Sequence, residues 1–203
     1  MRNKSLLLRV LALVMAVAVI ASAPQAVAAQ ESKTRLDSPA NRDVRRMDAL
    51  KEELRHQLVT LPYYSVFDWL QAEVKSDGTV TLMGQVARPT TKDDAAYRIK
   101  KLEGAVRVVD NIEVLPLSPM DNDLRIALYR AIYRFESPLF RYATQSVPPI
   151  HIIVKNGRVV LKGIVSNQAD SQLAYMAARG VSGVFDVKNE LQIEQRDEKI
   201  SAK

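Results

Sequence analysis

The chain has 203 residues, a formal net charge of +6 and no cysteine. The absence of cysteine excludes a disulfide framework, a cysteine nucleophile, a zinc site with cysteine ligands and an acylated N-terminal cysteine. A net charge this modest also argues against a dedicated nucleic-acid-binding protein, which would concentrate basic residues on one face.

The first 28 residues have the organisation of an export signal. A short positive stretch precedes an apolar run over residues 6–20, and Ala26 and Ala28 form a small-x-small cleavage site. We predict a signal peptide over residues 1–28, whose removal would leave a net charge of about +3. The alternative is a transmembrane anchor, but the apolar run is shorter than the roughly 20 residues that a spanning helix needs. The mature protein is therefore expected to be exported, soluble or peripheral to a membrane and without a transmembrane span.

The two ends of the remaining chain are expected to lack regular structure. Residues 29–42 are polar, contain Pro39 and show no periodicity, which is typical of a flexible lead-in. Residues 196–203 are expected to form a disordered tail.

One sequence pattern occurs twice between these ends. Gly78 aligns with Gly157, which lies 79 residues later, and the same offset aligns many neighbouring apolar residues. Towards the end of the pattern a one-residue slip is needed to align Asn111 with Asn189. The pattern predicts two tandem modules, with a boundary at Ser118. The predicted modules span residues 43–117 and 119–195.

Each module is predicted to begin with a helix, because its apolar residues recur at spacings of three and four. The stripes consist of Met47, Leu50, Leu54 and Leu58 in the first module, and of Leu124, Ala127, Leu128, Ala131, Ile132 and Phe135 in the second. A β-hairpin follows, since period-two strands flank the turns at Asp77-Gly78 and Asn156-Gly157, whose glycines supply positive backbone angles.

A second helix and a third strand complete each module. The helix is predicted from Thr91, as N-cap, to Gly104 in the first module, and from near Asn167 to Gly180 in the second. The last strands are predicted over Val106 to Leu115 and Val184 to Ile193.

This order predicts an α+β fold of two tandem two-layer modules, each with the order helix, strand, strand, helix, strand. Each module has a three-stranded mixed sheet, with an antiparallel hairpin pair and a parallel crossover pair, and both helices lie on one face. Gly84 and Gly163 fall late in the second strands, where a missing side chain allows a helix to pack closely or a bulge to form. We assign structural roles to both, as to the turn glycines Gly78 and Gly157.

The Asp-Gly or Asn-Gly turn, the x-Leu-x-Gly-x-Val return strand and the ending Gly-Val-x-x-Val-x-Asn-x-Leu at residues 183–191 resemble the BON domain. The first copy departs from the ending at residues 104–112, where it has one extra residue. The resemblance covers about residues 43–194. It implies a periplasmic or outer-membrane location, a role in osmotic stress and envelope integrity, and binding of anionic phospholipid. The family is not known for catalytic residues, so none is carried over.

Catalysis and metal binding find no support in the sequence. The two histidines, His56 and His151, lack a His-x-x-x-His spacing, and neither a Gly-x-Ser-x-Gly turn nor a Gly-rich phosphate loop occurs. A KH-type nucleic-acid module needs a Gly-x-x-Gly loop between consecutive helices, which the predicted hairpin separates. We therefore expect no enzyme activity, no metal, no cofactor and no nucleic-acid partner.

The candidate functional residues lie between residues 129 and 142, where arginines alternate with aromatic residues. Guanidinium groups pair with phosphate, and aromatic rings settle at the acyl boundary of a membrane. The predicted site for anionic phospholipid consists of Tyr129, Arg130, Tyr133, Arg134, Phe140, Arg141 and Tyr142. The alternative is that Phe140 and Tyr142 close the core while the arginines form a solvated face.

The corresponding stretch of the first module, residues 61–69, is aromatic but has no basic residue. It could insert beneath a headgroup or pack against the second module, and the acidic Asp68 favours packing. Two functions stay open. One is an envelope binding and scaffolding protein that engages anionic phospholipid through its second module. The other is a protein–protein adaptor that uses sheet edges or the aromatic stretch to join an envelope complex.

Overall fold

The computed structural model describes residues 39–195, with side chains from residue 41 onwards. The predicted signal peptide (residues 1–28), most of the predicted lead-in and the predicted tail (residues 196–203) lie outside the described residues.

The described chain runs twice through helix, strand, strand, helix and strand, with one short helix added in the second module. The elements are α1 (Pro39–Val59), β1 (Trp69–Val74), β2 (Thr79–Val86), α2 (Pro89–Ile99), β3 (Arg107–Val114), α3 (Pro119–Ile132), α4 (Phe140–Ala143), β4 (Ile150–Lys155), β5 (Arg158–Val165), α5 (Gln168–Arg179) and β6 (Asp186–Ile193). Residues 39–42 were expected in the lead-in, but they belong to α1, because proline is well tolerated in a first helical turn.

Each module contains one three-stranded sheet, in the order β1-β2-β3 or β4-β5-β6. The hairpin strands β1 and β2 are antiparallel, β2 and β3 are parallel, and the second sheet repeats both relations. The predicted α+β fold with mixed sheets is confirmed.

The register of the last strands shows that the offset of 79 residues never slips. Thr79 lies opposite Arg107 and Arg158 lies opposite Asp186, so the counterpart of Asn189 is Asp110. The carboxylate of Asp110 accepts the amide of the residue two positions on at 3.0 Å, and the amide oxygen of Asn189 does the same at 3.2 Å. The predicted slip and extra residue are wrong, because Asp and Asn can make the same hydrogen bond.

Both helices of each module cover the same face of its sheet. In the first module Leu54 of α1 and Ile99 of α2 are fully buried against Leu82 of β2. In the second module Leu128 and Ala174 meet over Leu161 in the same way. Burying a leucine or isoleucine side chain stabilises a fold by roughly 1.5–3 kcal/mol, so these layers hold each module together.

The second helices of the two modules, α2 and α5, begin with different N-cap residues. α5 begins as predicted after Asn167, whose side chain accepts the amide of Asp170 at 2.9 Å. α2 begins at Pro89, with Arg88 as the N-cap, so the predicted N-cap Thr91 is wrong. Proline at the first helical position lets the helix start three residues earlier, and Thr91 is then buried in its first turn.

The four glycines occupy two kinds of position. Gly78 and Gly157 adopt φ values of 79° and 72°, which confirms the predicted turns. At Gly84 and Gly163 a Cβ atom would lie 1.9 and 1.8 Å from a carbonyl oxygen of the preceding chain segment, that of Trp69 or Pro149. The expected close approach is present, but its partner is a neighbouring strand segment and not a helix.

Candidate functional site

The candidate residues cluster at one end of the second module. Asp121, in the first turn of α3, accepts the amides of Asn156 and Gly157 at 2.9 and 2.8 Å and so fixes that helix end at the hairpin turn. α3 ends at Ile132, and the loop of residues 133–139 leads to α4. The candidate residues therefore lie at the end of the module opposite the hairpin turn.

Two predicted lipid-facing residues are buried. Tyr133 is 4% exposed, and its hydroxyl donates to the carbonyl of Ile150 at 2.7 Å. Burial raises the pKa of Tyr133 well above its usual range. The Tyr142 hydroxyl donates to Asp170 at 2.7 Å and accepts the amide of Ser166 at 2.9 Å. The predicted lipid-facing position of Tyr133 and Tyr142 is wrong, because each hydroxyl satisfies buried backbone or carboxylate groups. For Tyr142 the structure agrees with the alternative, in which this ring closes the core.

Arg141 has a structural partner. Its guanidinium contacts the buried carboxylate of Asp170, donates to the carbonyl of Pro138 at 3.0 Å and lies 4.8 Å from the ring centre of Tyr142. Removing one partner of a buried charge leaves an uncompensated group, which is strongly destabilising. Arg141 therefore supports the fold of this end of the module, although its side chain is half-exposed.

Four side chains form the exposed part of the candidate site, which we name the arginine–phenylalanine patch: Arg130, Arg134, Phe135 and Phe140. Phe135 is 78% exposed and Phe140 is 37% exposed, and their rings meet edge to face at 5.1 Å. Arg130 is exposed in the last turn of α3, and Arg134 lies 4.0 Å from Glu136 with most of its side chain in solvent.

Phe135 was expected in the core stripe of the helix, and this prediction is wrong. Because α3 ends at Ile132, Phe135 is no longer on the helix, and a residue three positions after Ile132 need not face the core. Ser137-Pro138, directly downstream, is the sequence signal for such an ending.

Tyr129 belongs to the contact between the modules. It is half-buried, and its ring lies 5.0 Å from that of Tyr133 and 6.4 Å from that of Phe67 in the first module. Of the seven predicted lipid-binding residues, the exposed patch therefore retains Arg130, Arg134 and Phe140.

Residues 64–69 of the first module, which we name the strap, cover the edge of β4. The amide of Ile152 donates to the carbonyl of Val66 at 2.8 Å. The rings of Tyr64 and Trp69 lie 5.7 and 5.0 Å from that of His151. The predicted packing of this stretch against the second module is confirmed, and Val66 occupies the outer side of β4 at Ile152.

Buried polar groups hold the strap in shape. The buried carboxylate of Asp68 accepts the amide and hydroxyl of Ser65 at 2.9 and 2.8 Å, and the amide of Ala87 at 2.7 Å. His151 is buried beneath the strap, with no hydrogen-bond partner for Nδ1. Burial lowers the pKa of His151, while Asp68 acts in the opposite direction.

The described residues offer neither a metal site nor a membrane-spanning helix. Within residues 39–195, no group of three or more His, Asp or Glu side chains is placed to hold a metal ion. None of the helices in that range is long and apolar enough to cross a membrane.

Comparison with known proteins places the chain in a family. The sequence model of the BON domain matches residues 48–116 and 141–195. The chain belongs to the BON domain family, and it carries two copies of the domain. No curated protein matches the chain.

Among solved structures, the chain is similar to CdsD, a structural protein of the type III secretion system of Chlamydia trachomatis. The identity is 14% over 75% of this chain and 95% of that one, with a TM-score of 0.31. The C-terminal domain of CdsD is 16% identical over 72% of this chain and 98% of its own, with a TM-score of 0.27. These scores are too low to carry an argument about shape or function.

Proposed function

We propose that this chain is a non-catalytic protein of the cell envelope that binds anionic phospholipid at the periplasmic membrane surface and supports envelope integrity under stress. The arginine–phenylalanine patch is the observation that carries the proposal. Membership of the BON family and the predicted export signal support the location.

The chemistry of the patch fits a lipid surface better than it fits water. Phe135 exposes most of its ring, and burial of that ring at the acyl boundary would favour the bound state by roughly 1.5–3 kcal/mol; Phe140, which is less exposed, would contribute less. Arg130, in the last turn of α3, and Arg134, directly before Phe135 in the chain, add guanidinium groups to the same exposed segment, where each contributes about 1 kcal/mol near an anionic surface. Tyr133 and Tyr142 lie on either side of the loop of residues 134–139 and bind to the core through their hydroxyls. They therefore hold in place the loop that carries Arg134 and Phe135.

Sedimentation with vesicles tests the proposal. Arg130→Gln together with Arg134→Gln is expected to weaken binding to phosphatidylglycerol-containing vesicles by roughly thirtyfold at low salt, since about 2 kcal/mol of attraction is lost. Arg141 is left intact, because its removal would disturb Asp170.

The matched control is Arg107→Gln together with Arg158→Gln, two exposed arginines at the starts of β3 and β5. It removes the same charge, but Arg158 lies at the hairpin-turn end of the second module. Equal losses from both double variants would mean diffuse electrostatic attraction and would contradict a defined site.

The second candidate function is that of a protein–protein adaptor. The observation that favours it is the unpaired edge of β6, with two exposed isoleucines nearby. Ile164 and Ile193 are exposed on neighbouring strands, and no other strand of residues 39–195 pairs with the far side of β6. Such an edge can receive an extended segment from another protein. Absence of vesicle binding by the folded chain would promote this function over lipid binding.

A further inference from the structure

The loop after α1 contains a tyrosine in a backbone conformation that tyrosine disfavours. Tyr63 has a φ of 64°, and the amide of Tyr64 donates to the carbonyl of Leu61 at 3.2 Å. This is a four-residue turn with Pro62 at its second position and Tyr63 at its third, where a positive φ calls for glycine or asparagine. A bulky residue there is a genuine outlier.

Burial in the core does not account for a tyrosine in this strained backbone conformation. The side chain of Tyr63 is 67% exposed, so little apolar burial compensates for the backbone strain. Its ring lies 5.3 Å beneath the guanidinium of Arg88. The strained turn therefore holds an aromatic ring at the surface, next to a cation.

Arg88 is itself unusual for its position. It is the N-cap of α2 but makes no capping hydrogen bond with its side chain, whereas its counterpart in the second module, Asn167, caps α5. Ser, Thr, Asp and Asn are the residues that stabilise this position. Two neighbouring surface residues thus break local rules and contact each other, which is the pattern expected at a functional site.

A second cation lies at the same turn. Arg98, near the end of α2, donates to the carbonyl of Thr60 at 3.3 Å. We name Tyr63, Arg88 and Arg98 the Tyr63 patch. The acidic residue of this stretch, Asp68, is buried and accepts three hydrogen bonds, so it does not lie on the surface of the patch.

We infer that the Tyr63 patch is a second site for anionic phospholipid, in which Arg88 and Arg98 bind the headgroup phosphate and Tyr63 lies at the acyl boundary. The inference rests on the proposed function, because it assigns the same ligand to a second module. Both patches use the loop that follows the first helix of their module, α1 or α3. Two sites in one chain raise the affinity for a surface by avidity, without any new contact between them.

The test combines vesicle binding with thermal stability. Arg88→Gln is expected to weaken binding to phosphatidylglycerol-containing vesicles about fivefold. Tyr63→Gly is expected to weaken binding severalfold while raising the melting temperature by a few degrees, because glycine accepts the positive φ. A tyrosine with a purely structural role would show the opposite change in melting temperature.

The matched control is Tyr97→Ala together with Lys101→Gln. Tyr97 is another exposed tyrosine of the first module, and Lys101 lies 4.0 Å from its ring centre. The control should leave vesicle binding within twofold of the parent chain. Equal losses from the control and from the Tyr63 patch would overturn the inference.

Two further arms separate this inference from the proposed function and from a soluble ligand. If Tyr63→Gly and Arg88→Gln leave binding unchanged while Arg130→Gln with Arg134→Gln weakens it, the second site is wrong and the proposed function stands. If only the Tyr63 patch variants weaken binding, the second site stands and the arginine–phenylalanine patch is wrong. Glycerol phosphate that binds the chain while phosphatidylglycerol vesicles do not would overturn the lipid assignment.

Discussion

At the scale of single residues, backbone geometry decides several positions more strongly than side-chain chemistry does. Gly163 combines a φ of 120° with a Cβ position only 1.8 Å from the carbonyl oxygen of Pro149. A side chain at this position would fit only if the start of β4 moved away from β5. Replacing Gly163 is therefore expected to disrupt the second sheet.

Gly163→Ala is expected to lower the free energy of unfolding by about 3 kcal/mol or more, through backbone strain and the clash together. Gly180→Ala is the matched control, since Gly180 has a φ of −76° and the added Cβ would meet its nearest atoms at an ordinary contact distance of 3.6 Å. Chemical denaturation measures both. A Gly163→Ala variant as stable as the parent would mean that β4 does not approach β5 as described.

The buried His151 makes stability depend on pH. Because burial lowers its pKa below the usual 6.5, the unfolded chain binds this proton more readily than the folded chain does. The contribution of His151 is therefore fully present above about pH 6.5 and is lost as the pH falls through the folded-state pKa.

His151→Gln is expected to reduce the loss of stability between pH 7.5 and pH 5, measured by urea denaturation at each pH. His56→Gln, which changes the exposed histidine of α1, should leave the pH dependence as it is in the parent chain. An unchanged pH dependence in His151→Gln would show that the strap does not bury this imidazole.

Single residues were also where prediction from sequence failed most often. Tyr133 and Tyr142 alternate with arginines and were expected at the surface, whereas Phe135 fits the helical spacing and was expected in the core. The structure reverses these assignments: α3 ends at Ile132, so Phe135 leaves the helical stripe, and Tyr142 lies on the separate short helix α4. Periodicity predicts which way a side chain points only while the helix continues.

At the scale of elements, the strap gives an edge strand of the second module a partner from the first. The hydrogen bond from Ile152 to Val66 continues the pairing of β4 on its outer side, and the buried Asp68 fixes the strap through Ser65 and Ala87. An edge strand without such cover would expose unpaired amides to other chains.

Asp68→Ala is expected to destabilise the chain by about 2 kcal/mol or more, because it leaves buried donors without an acceptor. Hydrogen exchange should then accelerate at the Ile152 amide in particular. Asp186→Ala, at an exposed aspartate that begins β6, is the control and should change neither quantity. Unaltered exchange at Ile152 in the Asp68→Ala variant would contradict the role given to the strap.

The order of the elements was predictable because it depends on local signals, namely two periodicities and a glycine turn in each copy. The packing of the strap against the second module was predicted, but its backbone pairing with β4 and the helix α4 were not. The strap depends on contacts between Val66 and Ile152, which lie far apart in sequence. Alternation within a strand shows that one face is buried, but it does not show what covers the strand edge.

At the scale of the whole molecule, the two modules share one fold but expose different aromatic and basic residues. The second module exposes Phe135 and Phe140 in the segment that also carries Arg130 and Arg134, and the first exposes Tyr63 next to Arg88. The Tyr63 patch could not be predicted from the sequence, because Arg88 lies 25 residues after Tyr63. The aromatic stretch of residues 61–69 contains no basic residue, and only the fold brings Arg88 next to it.

Phe135 is expected to enter an anionic lipid surface, and site-directed spin labelling tests this insertion most directly. The chain has no cysteine, so Phe135→Cys and Phe185→Cys each give one labelled position. Phe185 is a comparable probe, because it is 73% exposed but contacts the hairpin turn at Gly157, at the opposite end of the module. On phosphatidylglycerol-containing vesicles, the label at 135 is predicted to become accessible to oxygen and shielded from a water-soluble relaxation agent, while the label at 185 stays in water. Two labels that both stay in water on vesicle-bound protein would contradict the account.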